Sequence, residues 1–528
     1  MLERELKFHV PAGNQAALEK ELRKLNAAEL PLHACYFDTE KHELAQTKIA
    51  LRLRKEGDQW VQTIKTPGPD ELSRVEINTP RPGPTLDLSV YQGTAVGDTL
   101  AKLERPLELR YETQVSRLVL KKKTRAGVVE FAYDLGVIKA GALELPLCEL
   151  ELELVSGGTD AIFTLARQWM KKHGLILDLR SKAERGDALA GMAGAAKQAG
   201  TASPEFAQLR KPRRAGTISL KPELAVHAAY QVCANDCMNQ IIRNASLLAG
   251  VDSSGAPAGL RVEYVHQLRV GIRRIRSCWK FFGKWVDIDE SALGRALQQY
   301  FSLLGQARDR DVIALTVTPR LVEAGMPELN LPALSDAVHD TQTLAASADF
   351  QATLLTLLSH LVVVVDTAIS RPETPVAEND AEETAGEKKK AKPSAAPRSL
   401  SKALGKRLNK RLKSICQQGM HFEQLTIEAQ HSLRKRVKGL RYSMEFSASV
   451  LSGKSFARLR DALTDTQHIL GDLNDLYIAQ DYYQPIVATQ PQALFAVGWL
   501  RAMQAQKKTE AQASFARLAK AGRFKKAQ

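Results

Sequence analysis

Residues 145–157 read LPLCELELELVSG, which as an extended strand puts Glu149, Glu151 and Glu153 on one face and Leu150, Leu152 and Leu154 on the other. Glutamates spaced about 6.6 Å apart along one face repel each other, and on an open surface nothing offsets the repulsion. The leucines opposite need a cover. Other strands repeat the pattern, with Glu3, Glu5 and Lys7 sharing a face in LERELKFHV, Arg52 and Arg54 in ALRLRKE, and Arg74 and Glu76 in SRVEIN. A closed or nearly closed barrel satisfies both faces, with charges lining the interior and helices packed on the apolar exterior. Carboxylates in such an interior offer hard oxygens to Mg²⁺ or Mn²⁺, and arginines beside them offer paired donors to phosphoryl oxygens. The combination suits a metal-bound polyphosphate.

The rest of the chain is organised differently. Its 528 residues, 44% hydrophobic and 25% charged, suffice for several domains with sizeable cores. Short strands separated by Gly, Pro and Asp run to about residue 155, with helices expected at 14–25 and 160–173. Long amphipathic helices begin after a basic connector, which divides the chain into residues 1–200, a linker at 201–218 and a helical region at 219–528. The segment 371–398, with four prolines, no aromatic residue and blocks of like charge, reads as a solvated insertion. Residues 1–200 hold 29 Lys and Arg against 28 Asp and Glu, whereas the remainder holds 45 against 31, so the basic excess sits in the helices and points to a polyanion. The longest apolar run, 352–365, is too short and too interrupted for a membrane span, and the stretch MLERELKFHV, charged from Glu3 onward, lacks the apolar run of a secretory signal. A cytoplasmic protein is expected, without a disulfide framework or zinc site, since the six cysteines are scattered.

Glu3-x-Glu5-x-Lys7 resembles the ExExK signature of the CYTH domain, whose members are triphosphate tunnel metalloenzymes. Tyr36-Phe37-Asp38-Thr39, LRLRKE with Arg52 and Arg54, Lys65, Arg74-x-Glu76, Arg117, Glu130 with Asp134, ELELEL and Ser181-Lys182-Ala183-Glu184-Arg185-Gly186 follow in family order. The resemblance covers nearly all of residues 1–190 and implies an eight-stranded antiparallel tunnel that binds a triphosphate. It implies that Glu3, Glu5, Glu151 and Glu153 hold a divalent metal. It assigns Lys7, Arg52, Arg54, Lys65, Arg74, Arg117, Lys182 and Arg185 to the phosphates. Glu76, Glu130 and Asp134 form a second carboxylate set. The ELELEL run also contains Glu149; the second and third glutamates, followed directly by the VSGG turn, are the favoured pair. Tyr36 reads equally as core, Asp38 as a turn cap, and His9 as a bystander.

In the helical region, HQLRVGIRRIRSCW from His266 and HSLRKRVKGLRYSM from His431 align without a gap 165 residues apart, and LLGQARDRD and ILGDLNDLY align 166 apart. A near-constant offset over two motifs marks a duplication. On a helical wheel His266, Arg269, Arg273 and Arg276 oppose Leu268, Ile272, Ile275 and Trp279; His431, Arg434, Lys438 and Arg441 oppose Leu433, Val437, Leu440 and Met444. The apolar stripes are core. The basic stripes recur in both copies without intervening acids, which an ordinary solvated face does not require. This region resembles the CHAD domain, a helical domain of two four-helix halves implicated in binding inorganic polyphosphate, with His266 and His431 as its namesake histidines. Asp309 and Asp475 are expected to orient basic side chains. Nucleic acid is the less favoured partner, because the stripes lack interleaved aromatics for base stacking.

The expected architecture is therefore α+β, an antiparallel tunnel followed by a duplicated all-α domain. The expected activity is metal-dependent hydrolysis of inorganic triphosphate to diphosphate and phosphate, beside a polyphosphate-binding helical domain. Thiamine triphosphate, nucleoside or RNA 5′-triphosphate hydrolysis and adenylate cyclisation are rivals within the tunnel family, and a non-catalytic polyphosphate scaffold is the rival of another class.

Overall fold

The computed structural model describes residues 2–68, 70, 72–199, 207–286, 291–331, 337–369, 399–451 and 453–524; the insertion at 371–398 and the first part of the linker at 201–218 lie outside these. Two compact units emerge. One comprises Met1–Arg213, Ile242–Tyr264 and Gln342–Thr367; the other comprises Arg214–Ile241, Val265–Thr341 and Ala368–Gln528.

The first unit is built on strands β1 (Leu2–His9), β2 (Ala28–Asp38), β3 (Ala50–Glu56), β4 (Gln59–Pro67), β5 (Ser73–Arg81), β6 (Glu108–Lys123), β7 (Gly127–Ala140), β8 (Leu143–Gly157) and the short β9 (Ile176–Leu177). Hydrogen bonding runs β5-β4-β3-β2-β6-β7-β8-β1, and a β1–β5 pairing closes the ring of eight, with β9 appended to β1. Every pairing is antiparallel, so the closed tunnel expected from alternation is present. Outward-facing Leu6, Phe8, Leu150 and Leu152 are fully buried under the helix Thr159–His173, whose Trp169 ring lies 4.7 Å from Phe131.

Inward positions change character along the barrel. Glu149, Glu151 and Glu153 on β8 share parity with Leu145 and Leu147, and Arg117 on β6 shares parity with Val115 and Tyr111. The polar lumen therefore ends on an apolar floor. There Ala34, Tyr36, Tyr111, Val115, Ile138, Leu145 and Leu147 pack with Leu189 and Met192 of the helix Lys182–Ala199. An eight-stranded barrel has just room for side chains or one small ligand, and this one divides its interior between the two.

Sequence reading did not identify β2. Pro31 weakens AELPLHACYFD as a strand, since proline removes a ladder donor. In the structure β3 pairs only with His33–Phe37 of β2, so Pro31 occupies a stretch bonded to β6 alone, where a missing N–H is tolerated. Asp38 caps the turn that follows, accepting from the backbone N–H groups of Thr39, Leu44 and Ala45 at 2.7–2.9 Å.

The second unit is helical. The helices Leu400–Gly419, Ile427–Ser447, Lys454–Tyr483 and Leu494–Lys520 pack in a ring as a four-helix bundle. The helix bearing His266 (Ala258–Phe282) and the helix bearing His431 are each followed by the helix carrying the acidic motif, Ser291–Val312 and Lys454–Tyr483, so the duplication is structural. Leu268, Ile272, Ile275, Trp279, Leu433, Val437, Leu440 and Met444 are all buried, as the wheel requires. No helix among the described residues is long and apolar enough to cross a membrane, and none of the six cysteines is in a disulfide.

Candidate functional sites: a charged lumen and a basic basin

Cross-strand register decides which lumen charges meet. Glu5 stands opposite Glu153, Lys7 opposite Glu151 and His9 opposite Glu149 across β1 and β8; Arg117 and Glu149 flank Asp134 across β6, β7 and β8. The carboxylates fall into two groups with different charge balance.

The inner group is Asp134, Glu149 and Glu151, whose nearest oxygens lie within 4.8 Å of one another. Its cations match it in number. Lys182 Nζ is 2.7 Å from Asp134 and 3.0 Å from Glu151, and also donates to Glu149. Arg117 forks onto Asp134 with two 2.7 Å bonds and reaches Glu151 at 2.9 Å, while Lys7 donates to Glu151. These neighbours outweigh burial and hold the Asp134 carboxyl low and the Glu151 carboxyl far below the usual range, whereas burial and Glu151 raise Glu149.

The outer group is short of cations. Lys65 reaches Glu3 at 2.7 Å and Glu76 at 3.1 Å, Lys7 lies 3.0 Å from Glu5, and Arg52 lies 3.6 Å from Glu76. Glu153 stands between Glu5 and Glu130 on the adjoining strands, and Glu130 turns toward Lys121 at 3.5 Å. Burial and the neighbouring carboxylates push Glu3 up to about 8 while Glu76 falls to about 2, so the two share a proton. Burial likewise raises Glu153, aided by Glu130, Glu5 and Glu76. Glu3 and Glu153 are raised for want of positive charge, which a hard divalent cation would supply, and with Glu5 and Glu76, both held low, they make a suitable oxygen donor set.

Anion donors line the opposite wall. Arg52 and Arg54, neighbours on β3, lie close enough to Arg117 for mutual repulsion. Arg54 bonds Glu56 at 2.6 Å, and Arg52 keeps a buried Nε without a hydrogen-bond partner. Tyr36, left open between core and site, is both: its ring stacks on Tyr111 at 4.7 Å, and its phenol lies against Arg52. Arg74 faces the same lumen, opposite Glu3, and donates to the Ser73 carbonyl. Arg185 lies 3.5 Å from Glu149, donates to the Pro146 carbonyl at 3.3 Å and is otherwise bound to Asp252, a residue that local sequence did not suggest. The cluster His33, Cys35 and Glu112 stands on the outer wall and bonds within itself.

Lys182 and Arg185 begin a helix whose height over the lumen is set by Gly186. A Cβ there would lie 2.2 Å from the Tyr111 ring. Gly186→Ala is therefore expected to lift both cations and lower the turnover of any lumen reaction by on the order of tenfold, with the circular dichroism spectrum unchanged.

In the second unit, Arg269, Arg273, Arg434 and Lys438 converge from the two histidine helices. Arg273 Nε approaches Tyr442 Oη at 3.4 Å, and the Arg269 guanidinium stacks 4.5 Å from the Phe301 centroid. Gly305 makes room for it, since a Cβ there would meet Arg269 Nη1 at 2.5 Å. Burial and mutual repulsion lower Arg269 and Arg434 to about 10 and Lys438 to about 6. Asp309 and Asp475 face these cations without neutralising them. The other stripe members diverge: Arg276 turns to Gln298, Arg441 to Gln467 and Glu445, His266 is half-buried on the same stripe, and His431 is exposed beside Lys435 and Arg434.

Comparison with known proteins matches residues 1–186 to the CYTH domain model and residues 237–484 to the CHAD domain model. The inorganic triphosphatase of Haemophilus influenzae is 30% identical over 191 residues, which cover 34% of this chain and 53% of that protein, so the chain spans about half the length of that relative. Among solved structures, the CHAD domain from Ricinus communis aligns at 24% identity and TM-score 0.44, covering 60% of this chain and 99% of that one. A putative adenylate cyclase from Bacillus halodurans aligns at 20% identity and TM-score 0.27, covering 35% and 96%. The chain joins a CYTH domain at residues 1–186 to a CHAD domain at residues 237–484.

Proposed function

We propose that the tunnel hydrolyses inorganic triphosphate to diphosphate and phosphate with a divalent metal, and that the helical basin binds linear polyphosphate. The observation that carries the first part is the divided lumen: a cation-short carboxylate group faces a wall of arginines and lysines, the pairing a metal triphosphate needs. Glu3, Glu5, Glu76 and Glu153 would hold Mg²⁺ or Mn²⁺, which supplies charge neutralisation to the phosphoryl oxygens. Arg52, Arg54, Arg117 and Lys182 would grip the chain, and the unpartnered Arg52 Nε gains an acceptor. Water attacks the terminal phosphorus, the bridging P–O bond breaks, diphosphate leaves, and the water proton passes to solvent or a lumen carboxylate. The name of the Haemophilus influenzae relative supports triphosphate over the rival substrates. Phosphate release from triphosphate, ATP and thiamine triphosphate, each with Mg²⁺, Mn²⁺ or EDTA, tests the reading. Triphosphate should be hydrolysed fastest and EDTA should stop it; no release in any metal leaves the scaffold.

The basin reading rests on four cations from two helices with two acids between them, an excess of positive charge the fold retains. Lys438 is held near 6 by burial and by Arg434 and Arg273. A bound phosphate chain reverses that repulsion, so binding should take up a proton between pH 7 and 8 and tighten as pH falls toward 6. Calorimetry in buffers of different ionisation enthalpy reads the proton count; Lys438→Met should remove it.

A further inference from the structure

The tunnel chemistry makes no use of Asp252, although it holds Arg185, which lies 3.5 Å from the lumen carboxylate Glu149. It lies in the turn after the helix Val226–Leu248, within the same compact unit as the barrel. Its backbone is left-handed at φ 52°, a conformation that aspartate tolerates better than most residues. Its carboxylate accepts from Arg185 Nε at 3.0 Å and Nη2 at 2.8 Å, and from Arg180 Nη2 at 2.9 Å. Arg180 is in turn forked onto Asp178. The four side chains are at most 8% exposed. Arg243 pairs with Glu184 and Arg210 donates to the Ser254 carbonyl, fastening the turn on both sides. His9, last of the inward stripe on β1, faces this network.

We propose that Asp252 is a chain-length stop, holding the inner-end guanidinium that a fourth phosphoryl group would otherwise reach, so that the lumen admits triphosphate and rejects longer linear polyphosphates. The inference rests on the tunnel reading above. A carboxylate and a phosphoryl group compete for the same forked edge of arginine. A longer chain arriving at Arg185 must displace Asp252 and leave that carboxylate buried beside its own negative charge. Beyond lies the apolar floor of Leu145, Leu147, Tyr111 and Val115, which offers phosphate nothing. Discrimination then comes from a repulsive element set against the wrong substrate.

The test compares hydrolysis of triphosphate and linear tetraphosphate by the full chain with Mg²⁺. Wild type should prefer triphosphate by about 30-fold or more in kcat/KM, and Asp252→Asn should narrow that ratio by about tenfold while triphosphate kcat/KM stays within about threefold. Asp252→Glu, which keeps the charge, should retain the preference. Asp252→Ser carries the test if the asparagine variant does not fold. Tetraphosphate held by the helical basin is common to all these proteins and drops out of the comparison. An active wild type whose ratio is unchanged by Asp252→Asn, or that cleaves both substrates equally, overturns the stop alone. A wild type inactive on triphosphate overturns the tunnel reading and the stop with it.

Discussion

Glu5→Gln is expected to lower triphosphate turnover by on the order of 10³-fold, about 4 kcal/mol of transition-state stabilisation, with the melting temperature nearly unchanged. The substitution keeps the volume and removes one charge. Glu5 lies opposite Glu153 and 3.0 Å from Lys7, and Lys7 and Lys65 hold its carboxyl low against burial. With Glu76 it is one of the two outer carboxylates held ionised, while Glu3 and Glu153 are both raised. Loss of that charge should weaken Mg²⁺ or Mn²⁺ binding as well as turnover, so excess metal should restore part of the rate. Glu149→Gln makes the contrast, because Lys182 and Arg185 already serve that carboxylate. Near-normal activity in Glu5→Gln would remove Glu5 from the metal site.

How much of this was legible in the sequence depends on the range of the interaction. Alternation in ELELEL and LERELKF is local, and it was enough to require a closed barrel with a charged interior. The separation of the carboxylates into two groups is not local: it follows from the pairing of Glu5 with Glu153 rather than with Glu151, a register fixed by ring closure. The apolar floor was hidden because Leu145, Leu147 and Val115 look like any strand hydrophobes until parity is assigned. Asp252 lies 67 residues beyond Arg185 in a turn between helices, and no motif marks it. In the helices, duplication exposed the basic stripes, but a wheel treats each helix alone. The two helices approach at Ser277 and Gly439, where a Cβ on Gly439 would lie 3.9 Å from Ser277 Oγ. Arg269, Arg273, Arg434 and Lys438 share the basin, whereas Arg276 and Arg441 find other partners.

Replacing Arg273 and Lys438 together by Ala should weaken polyphosphate binding by on the order of 10²-fold, since charge-assisted contacts contribute about 1.5–3 kcal/mol each before screening. The same double variant should melt at a higher temperature than wild type in the absence of polyphosphate. Arg434 and Arg269 then lose the repulsion of Arg273, and the buried amine of Lys438, whose protonation the fold opposes, is gone. The pH dependence has a definite sign. With a folded pKa of about 6 against 10.5 for a free lysine, Lys438 binds fewer protons folded than unfolded across that window, so its contribution to stability rises with pH from about 6 to 10 and is lost as pH falls. The melting-temperature gain is therefore expected to shrink as pH rises from about 6 to 10. Triphosphate hydrolysis should stay within about twofold of wild type, because neither residue belongs to the unit that contains the lumen. Wild-type binding should fall steeply with salt as phosphate counterions are released. Random single-stranded DNA at matched phosphate concentration should bind more weakly, because Phe301 is covered by Arg269 and Tyr442 is buried, so neither ring offers an open face to a base. Tighter DNA binding, or a double variant that holds polyphosphate like wild type, would reassign the basin. Weaker binding together with a stabilised fold would instead mean that these cations are kept for the ligand at a cost to the free protein.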